Sequence, residues 1–134
     1  DSARVTWQNS SETVCKRITE YAYAVVKDKP SFHINFILDV SPNCDCWDVN
    51  DYPIVPDIGF AASFDPVALD KACADLVMKA PALPGSIICE ENNNDDMRGK
   101  DKFQHAHPDT YWQSGIEHGV KTGLGSSEYE LITV

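Results

Sequence analysis

The sequence predicts an α/β fold in which three main helices pack on a small mixed sheet within a single domain. Residues 9–26 and 66–80 place apolar side chains at helical spacing, whereas residues 32–40 and 58–64 alternate with a period of two. Helical and extended segments also follow one another along the chain. At 134 residues the chain is long enough to bury one core and too short for two.

The first predicted helix begins at a capping box, because Asn9 is followed by Glu12 three residues later. Its apolar residues fill one arc of a helical wheel, and charged residues fill the opposite arc. The apolar arc consists of Val14, Cys15, Ile18, Tyr21, Ala22, Val25 and Val26. The run Asp28-Lys29-Pro30 ends this helix because proline cannot continue it.

Two strands are predicted to follow this helix. Residues 32–40 alternate between two faces, which is the period of a strand. In residues 58–64 one face is large and apolar, and the other carries only Gly59, Ala61 and Ser63. A strand face this small lets a helix, another backbone or a ligand approach closely.

The second helix is predicted to begin at Asp65 as its N-cap, with Pro66 at the first helical position. Pro81 ends it. We expect its buried face to be formed by Leu69, Cys73, Leu76, Val77 and Ala80.

The remaining residues predict a loop, a third helix and a last strand. Residues 87–101 are expected to form a mobile polar loop, since they contain a run of Asn and Asp. The third helix is predicted to open at His107 and to close at Gly123 as a C-cap. Residues 129–134 predict a final strand.

Charge and cysteine content narrow the function classes. The net charge of −10 argues against nucleic acid and against an anionic membrane surface, because both need a basic footprint. No apolar run approaches the roughly 18–20 residues that span a bilayer. The five cysteines are an odd number, which favours a reducing compartment over a disulfide scaffold. We therefore expect a cytoplasmic protein.

The tract from Asn43 to Pro66 holds two thiols, five carboxylates and three prolines. Cys44 and Cys46, separated by one residue, can give two thiolates to a soft metal, although a closed site needs four ligands. Two alternatives stay open, a reduced turn without a ligand and a redox-active thiol pair. Cys44 and Cys46 are the candidate metal ligands.

Acidic residues form a second candidate site. Asp57 lies at the start of a predicted strand, and Asp65 lies where that strand feeds a helix, a place where α/β proteins often bind ligands. Asp70 lies at the edge of the apolar helix face and must be paired, metal-bound or protonated if it is buried. Together with Ser63 these acids are the candidate ligand-binding residues. The alternatives are a helix cap for Asp65 and, for Asp70, a hydrogen bond or ion pair that ties a loop to the helix.

The order of several short motifs resembles a prokaryotic family known as domain of unknown function 362. The matching stretches include Phe32-His33-Ile34-Asn35-Phe36, Cys44-Asp45-Cys46, Pro53-Ile54-Val55-Pro56-Asp57-Ile58-Gly59, Asp65-Pro66-Val67-Ala68, His107-Pro108 and Gly123-Leu124-Gly125. The resemblance runs over nearly the whole chain. Members of this family often carry an inserted pair of ferredoxin-type iron–sulfur motifs.

The resemblance implies that this chain is the C-terminal part of a larger iron–sulfur protein, with its clusters held upstream and no certain cofactor in this chain. One hypothesis is a redox or electron-transfer role. In this hypothesis the Cys-Asp-Cys tract and the acidic residues line a cleft, and the protein exchanges electrons with a redox partner. The other is a non-catalytic structural and interaction lobe. In both, the rest of the polypeptide is the main partner. The chain contains no hydrolase or nucleotide-binding motif.

Overall fold

Five helices and one two-stranded antiparallel sheet make up the described part of the chain, residues 9–44, 48 and 51–134, in a computed structural model. Their order is α1 (Ser11–Val26), β1 (His33–Ile37), β2 (Gly59–Ser63), α2 (Pro66–Lys79), α3 (Ile87–Glu90), α4 (Lys102–Ala106) and α5 (Gln113–Thr122). The predicted α/β class is confirmed. Among these described elements, no helix is both long and apolar enough to cross a bilayer.

Helix α2 connects the two halves of the fold. It packs on both strands and on α5, and α5 in turn packs along α1. The helix begins as predicted, with Asp65 as its N-cap and Pro66 in the first turn. Helix α1 is also confirmed, although its N-cap is Ser10 rather than Asn9. Gly123 closes α5 in the left-handed conformation, at φ 78°, as expected of a glycine C-cap.

The sheet buries its small face and exposes its large one. Gly59, Ala61 and Ser63 are half-buried, and Ala61 packs against the core that α2 helps to form. The small side chains allow α2 to approach the sheet closely. Both strands are shorter than predicted, with Phe36 opposite Phe60 in the register. The predicted final strand is wrong, because residues 129–134 form no strand.

The main core lies beside α2 and includes part of the ligand-rich tract. Ile54 and Val55 lie between two prolines, and their side chains are only 1% and 0% exposed. The Ile54 amide donates to the Val40 carbonyl at 2.8 Å, and the Leu83 amide donates to the Ile54 carbonyl at 3.0 Å. The Pro-Ile-Val-Pro stretch is therefore a core anchor. The core comprises Ile37, Ile54, Val55, Val77, Ala82, Ile88, Cys89 and Met97.

Two predictions for the second half of the chain need correction. Residues 87–101 include the short helix α3, and Ile88 and Met97 are fully buried, so this segment contributes to the core. Its mobility stays a prediction. His107 ends α4 instead of opening a helix, since its amide donates to the Phe103 carbonyl. Helix α4 was not predicted, because residues 97–106 contain too few apolar residues to show a helical period.

The C-terminal residues are anchored to α2 by one side chain. Tyr129 Oη donates a hydrogen bond to Asp75 Oδ2 at 2.8 Å. Asp75 also forms an ion pair with Lys71. The hydrogen bond to Asp75, with a smaller contribution from burial, raises the pKa of Tyr129 to about 12. The phenol keeps its proton because the neighbouring carboxylate disfavours a second negative charge.

This anchor predicts a loss of stability at high pH. The folded pKa of Tyr129 exceeds its ordinary value of 10.0, so the stabilisation is complete below pH 10 and is lost as the pH rises toward 12. In a titration of phenolate absorbance, the Tyr129→Phe variant should lack one late-titrating tyrosine that the parent chain shows. An identical titration curve above pH 10 for both proteins would contradict the anchor.

Candidate functional site

Asp65 holds three backbone amides with one carboxylate. Its Oδ1 accepts hydrogen bonds from the Val67 and Ala68 amides, both at 2.9 Å, which caps α2. Its Oδ2 accepts the Ser126 amide, 61 residues later, at 2.7 Å. The predicted cap is confirmed, and the carboxylate additionally joins α2 to the loop that follows α5. A ligand-binding role for Asp65 stays a prediction.

Two small residues complete this junction. Ser63 Oγ accepts the Asp65 amide at 3.0 Å, which directs the chain from β2 into α2. Gly125 lies so close to the carboxylate that an added Cβ would be 2.0 Å from Asp65 Oδ1. Only glycine fits there unless the carboxylate moves. In the Gly123-Leu124-Gly125 motif, Gly125 is therefore explained by this close approach and Gly123 by its position as the C-cap of α5.

Asp57 stabilises the turn that follows β1. Its Oδ1 accepts the Asp39 amide at 2.9 Å, and the next residue, Ile58, donates its amide to the Ile37 carbonyl at 2.9 Å. Asp39 has a φ of 46°, a left-handed conformation that costs energy for a residue other than glycine. The carboxylate thus holds a strained turn in place.

Asp70 contributes to a polar cluster with Asn35 and Cys73. Asn35 Nδ2 donates to Asp70 Oδ1 at 3.0 Å and to Cys73 Sγ at 3.5 Å. These residues line a groove of about 470 Å³ beside β1. Asp70 is exposed, so its carboxylate needs neither a metal nor a proton to be tolerated. Burial raises the pKa of the Cys73 thiol, so the cluster does not hold an activated thiolate.

Asn35 was the member of this cluster that sequence reasoning missed. Its signal was available, because an amide at an inward-facing position of an alternating strand requires a hydrogen-bond partner. The candidate acids do not meet at one point. Asp57 binds the turn after β1, Asp65 binds the start of α2, and Asp70 binds Asn35.

The predicted metal ligands lie at the edge of what the structure describes. Cys44 is exposed, and Cys46 lies outside the described residues. Among residues 9–44, 48 and 51–134, no group of three or more His, Cys, Asp or Glu is placed to hold a metal ion. His107 Nε2 lies 2.6 Å from the carbonyl oxygen of Pro42, the residue before the tract, and this contact ties the end of α4 to that point. Metal binding by Cys44 and Cys46 stays a prediction.

A buried lysine was not foreseen. Lys102 is fully buried, and its ammonium donates to the Met78 and Met97 carbonyls, each at 2.8 Å. Burial lowers its pKa. Met78 lies in the last turn of α2, so the ammonium group is next to the negative end of the helix dipole. This placement of a positive charge is favourable. Lys102 thus binds α4 to the end of α2.

The outer side of the sheet forms a continuous exposed surface, which we call the aromatic face. Its members are Phe32, Ile34, Phe36, Phe60 and Phe64, which are between 54% and 79% exposed. Ring centroids lie 5.0 Å apart in the Phe32–Phe64 pair and 4.9 Å apart in the Phe36–Phe60 pair. Most of the predicted apolar arc of α1 is exposed as well, including Ile18, Tyr21 and Val25.

Comparison with known proteins identifies the family. The sequence profile described as "Domain of unknown function (DUF362)" matches residues 2–75, more than half of the chain. The chain belongs to this family. The match spans α1, both strands and most of α2, and so includes Asp57, Asp65 and Asp70. No curated protein and no solved structure matched in the other two comparisons.

The junction at Asp65 predicts opposite effects at two glycines. Gly125→Ala should lower the free energy of unfolding by about 1–2 kcal/mol, the cost of a lost N-cap, because the new methyl group displaces the carboxylate. Gly115→Ala is the matched control. Its Cβ would meet ordinary contacts at 3.6 Å inside α5, where alanine gains up to about 1 kcal/mol over glycine. Equal urea midpoints for the two variants would contradict the close approach.

Proposed function

We propose that this domain is a structural and interaction lobe whose aromatic face packs against another folded part of its own polypeptide. The observation that supports this proposal is the exposure of four phenylalanine rings on one side of a two-stranded sheet. Helix α2 covers only the opposite side. A sheet face this apolar is normally covered by another layer of structure.

The size of the aromatic face fits this role. At roughly 150–250 Å² per aromatic side chain, the exposed fractions of Phe32, Phe36, Phe60 and Phe64 amount to about 500 Å². Ile34 adds to this area. The largest apolar patch on a typical monomer is about 300–600 Å² and is often functional, and a stable interface buries about 800 Å² per partner. The face therefore supplies most of one side of an ordinary interface.

The hydrogen bonds of the candidate acids also support a structural role. Asp57, Asp65 and Asp70 each bind groups of their own chain. Each bond positions a neighbouring element, namely the turn after β1, the start of α2, or the contact between β1 and α2. Side chains used in this way are part of a rigid framework that presents the outer sheet surface.

The proposal predicts that the aromatic face contributes little to the stability of this domain. The double variant Phe36→Ser with Phe60→Ser should change the free energy of unfolding by less than about 1.5 kcal/mol, the value of one aromatic pair. Ile88→Ala, the core control, should lower it by about 2–5 kcal/mol. Hydroxyl-radical footprinting then compares the 134-residue chain with a longer polypeptide that contains it.

In that comparison, Phe36 and Phe60 should be oxidised at least tenfold more slowly in the longer polypeptide. The radical dose is matched with a free tripeptide reporter in both samples. Equal oxidation of the two rings in both samples would contradict packing of the aromatic face against the rest of the polypeptide.

A second candidate function is the redox or electron-transfer role of an iron–sulfur protein. The exposure of Cys44, in the Cys-Asp-Cys motif, supports it because an accessible thiol can reach a metal, a cluster or an electron partner. The clusters themselves would be held upstream, as the family resemblance implies. On this proposal the motif is one contact of a site that other residues complete.

Metal analysis tests this second candidate. Anaerobically purified protein with Cys44→Ser and Cys46→Ser should lose metal or show an altered cluster spectrum relative to the parent. Cys15→Ser is the control, since that half-buried thiol lies on α1 outside the motif. Unchanged metal content and spectrum in both motif variants would remove these thiols from the ligand set.

A further inference from the structure

A second groove runs along the other strand, between β2, α2 and the C-terminal residues 129–134. We call it the β2 groove, and its volume is about 560 Å³. Its floor is formed by Ala68, Leu69, Ala72 and Leu76 of α2. One wall is β2 and the other is the C-terminal segment. The floor of the groove is therefore apolar, and the walls add polar side chains such as Ser63, Glu130 and Thr133.

Both of these backbones have unused hydrogen-bonding groups. Strand β2 pairs with β1 along one edge only, because the sheet has two strands in the described chain. Within that described part, the backbone of residues 130–134 makes no hydrogen bond to other backbone groups. An unpaired strand edge is a template for another strand.

The anchor at Tyr129 ties the C-terminal wall of the groove to α2. Its hydroxyl is bound to Asp75 on α2, so the segment that follows begins on the helix and not on β2. Beyond the anchor, Leu131 and Ile132 are 50% and 73% exposed. The segment has strand-like composition but lies across the groove from the strand edge that it would need to pair with.

We propose that the β2 groove binds an extended peptide segment that is apolar in its centre and carries Lys or Arg at its ends. This inference rests on the proposed interaction function and names the chemistry of a partner. The peptide would pair with the open edge of β2 and place alternate side chains over α2. In this mode of recognition the main-chain bonds supply affinity and the pockets supply specificity.

The charges favour basic ends on the partner. The chain carries a net charge of −10, and Glu130 is the charged side chain that lines the groove. A peptide with acidic ends would be repelled by this field, and a second copy of the chain would bring another ten negative charges.

The test uses a synthetic peptide, Lys-Val-Thr-Val-Ala-Val-Lys, with the 134-residue chain. Fluorescence anisotropy should show saturable binding, and methylation of alternate backbone nitrogens should weaken it at least tenfold because the main-chain bonds are lost. Leu131→Ser should also weaken it at least tenfold, because an apolar wall contact is lost while the charge of the groove is unchanged. Val14→Ser, at an exposed position on α1 that does not line the groove, is the matched control.

Hydrogen exchange supplies a second measurement, in which the β2 amides should gain protection of at least tenfold when the peptide binds. Peptide affinity that is unchanged by both N-methylation and Leu131→Ser would overturn the proposal. Two other occupants would overturn it as well. They are a second copy, seen as a dimer that protects β2 without peptide, and residues 129–134 themselves, seen as protection of β2 in the free chain.

The two proposals fail separately. Phe60 belongs to the aromatic face and also lines the β2 groove, whereas Phe36 belongs to the aromatic face alone. The Phe36→Ser variant should therefore bind the peptide unchanged. Peptide binding with no footprint on Phe36 would reject the proposed packing and keep the groove, whereas a footprint on Phe36 without peptide binding would reject the groove alone.

Discussion

The carboxylate of Asp65 is the interaction on which the rest of the structure depends. It caps α2, the helix that contacts both strands and α5, and it holds the loop after α5 through the Ser126 amide. This one side chain accepts hydrogen bonds from three backbone amides. It therefore joins the exit from β2, the start of α2 and the loop after α5. Gly125 is required because only a residue without a side chain can approach this carboxylate.

The second constraint is the size of the side chains on β2. Small residues face α2, so helix and sheet pack closely, and the bulky residues must face outward. This distribution explains why a domain with a well-formed core still exposes a row of phenylalanines. The same open sheet leaves the edge of β2 unpaired. Both surfaces are therefore consequences of a two-stranded sheet covered on one side.

Sequence patterns predicted the elements whose signals are local. The Asp65-Pro66 start of α2 and the Gly123 end of α5 follow from backbone chemistry within a few residues. The joining of Asp65 to Ser126 depends on residues 61 positions apart, which periodicity does not report. A last strand was predicted over residues 129–134, but a strand requires a pairing neighbour, and the Tyr129 anchor places the segment on α2. The ligand-dense tract also proved to contain the core residues Ile54 and Val55.

The most direct test of this account is native-state hydrogen exchange of the three amides that Asp65 accepts. In the parent chain the Val67, Ala68 and Ser126 amides should all be protected, and in Asp65→Ala all three should lose protection together. The Ser126 result is decisive, because an ordinary N-cap would affect only the first turn of α2. An unprotected Ser126 amide in the parent chain, or unchanged protection of that amide in Asp65→Ala, would contradict the account.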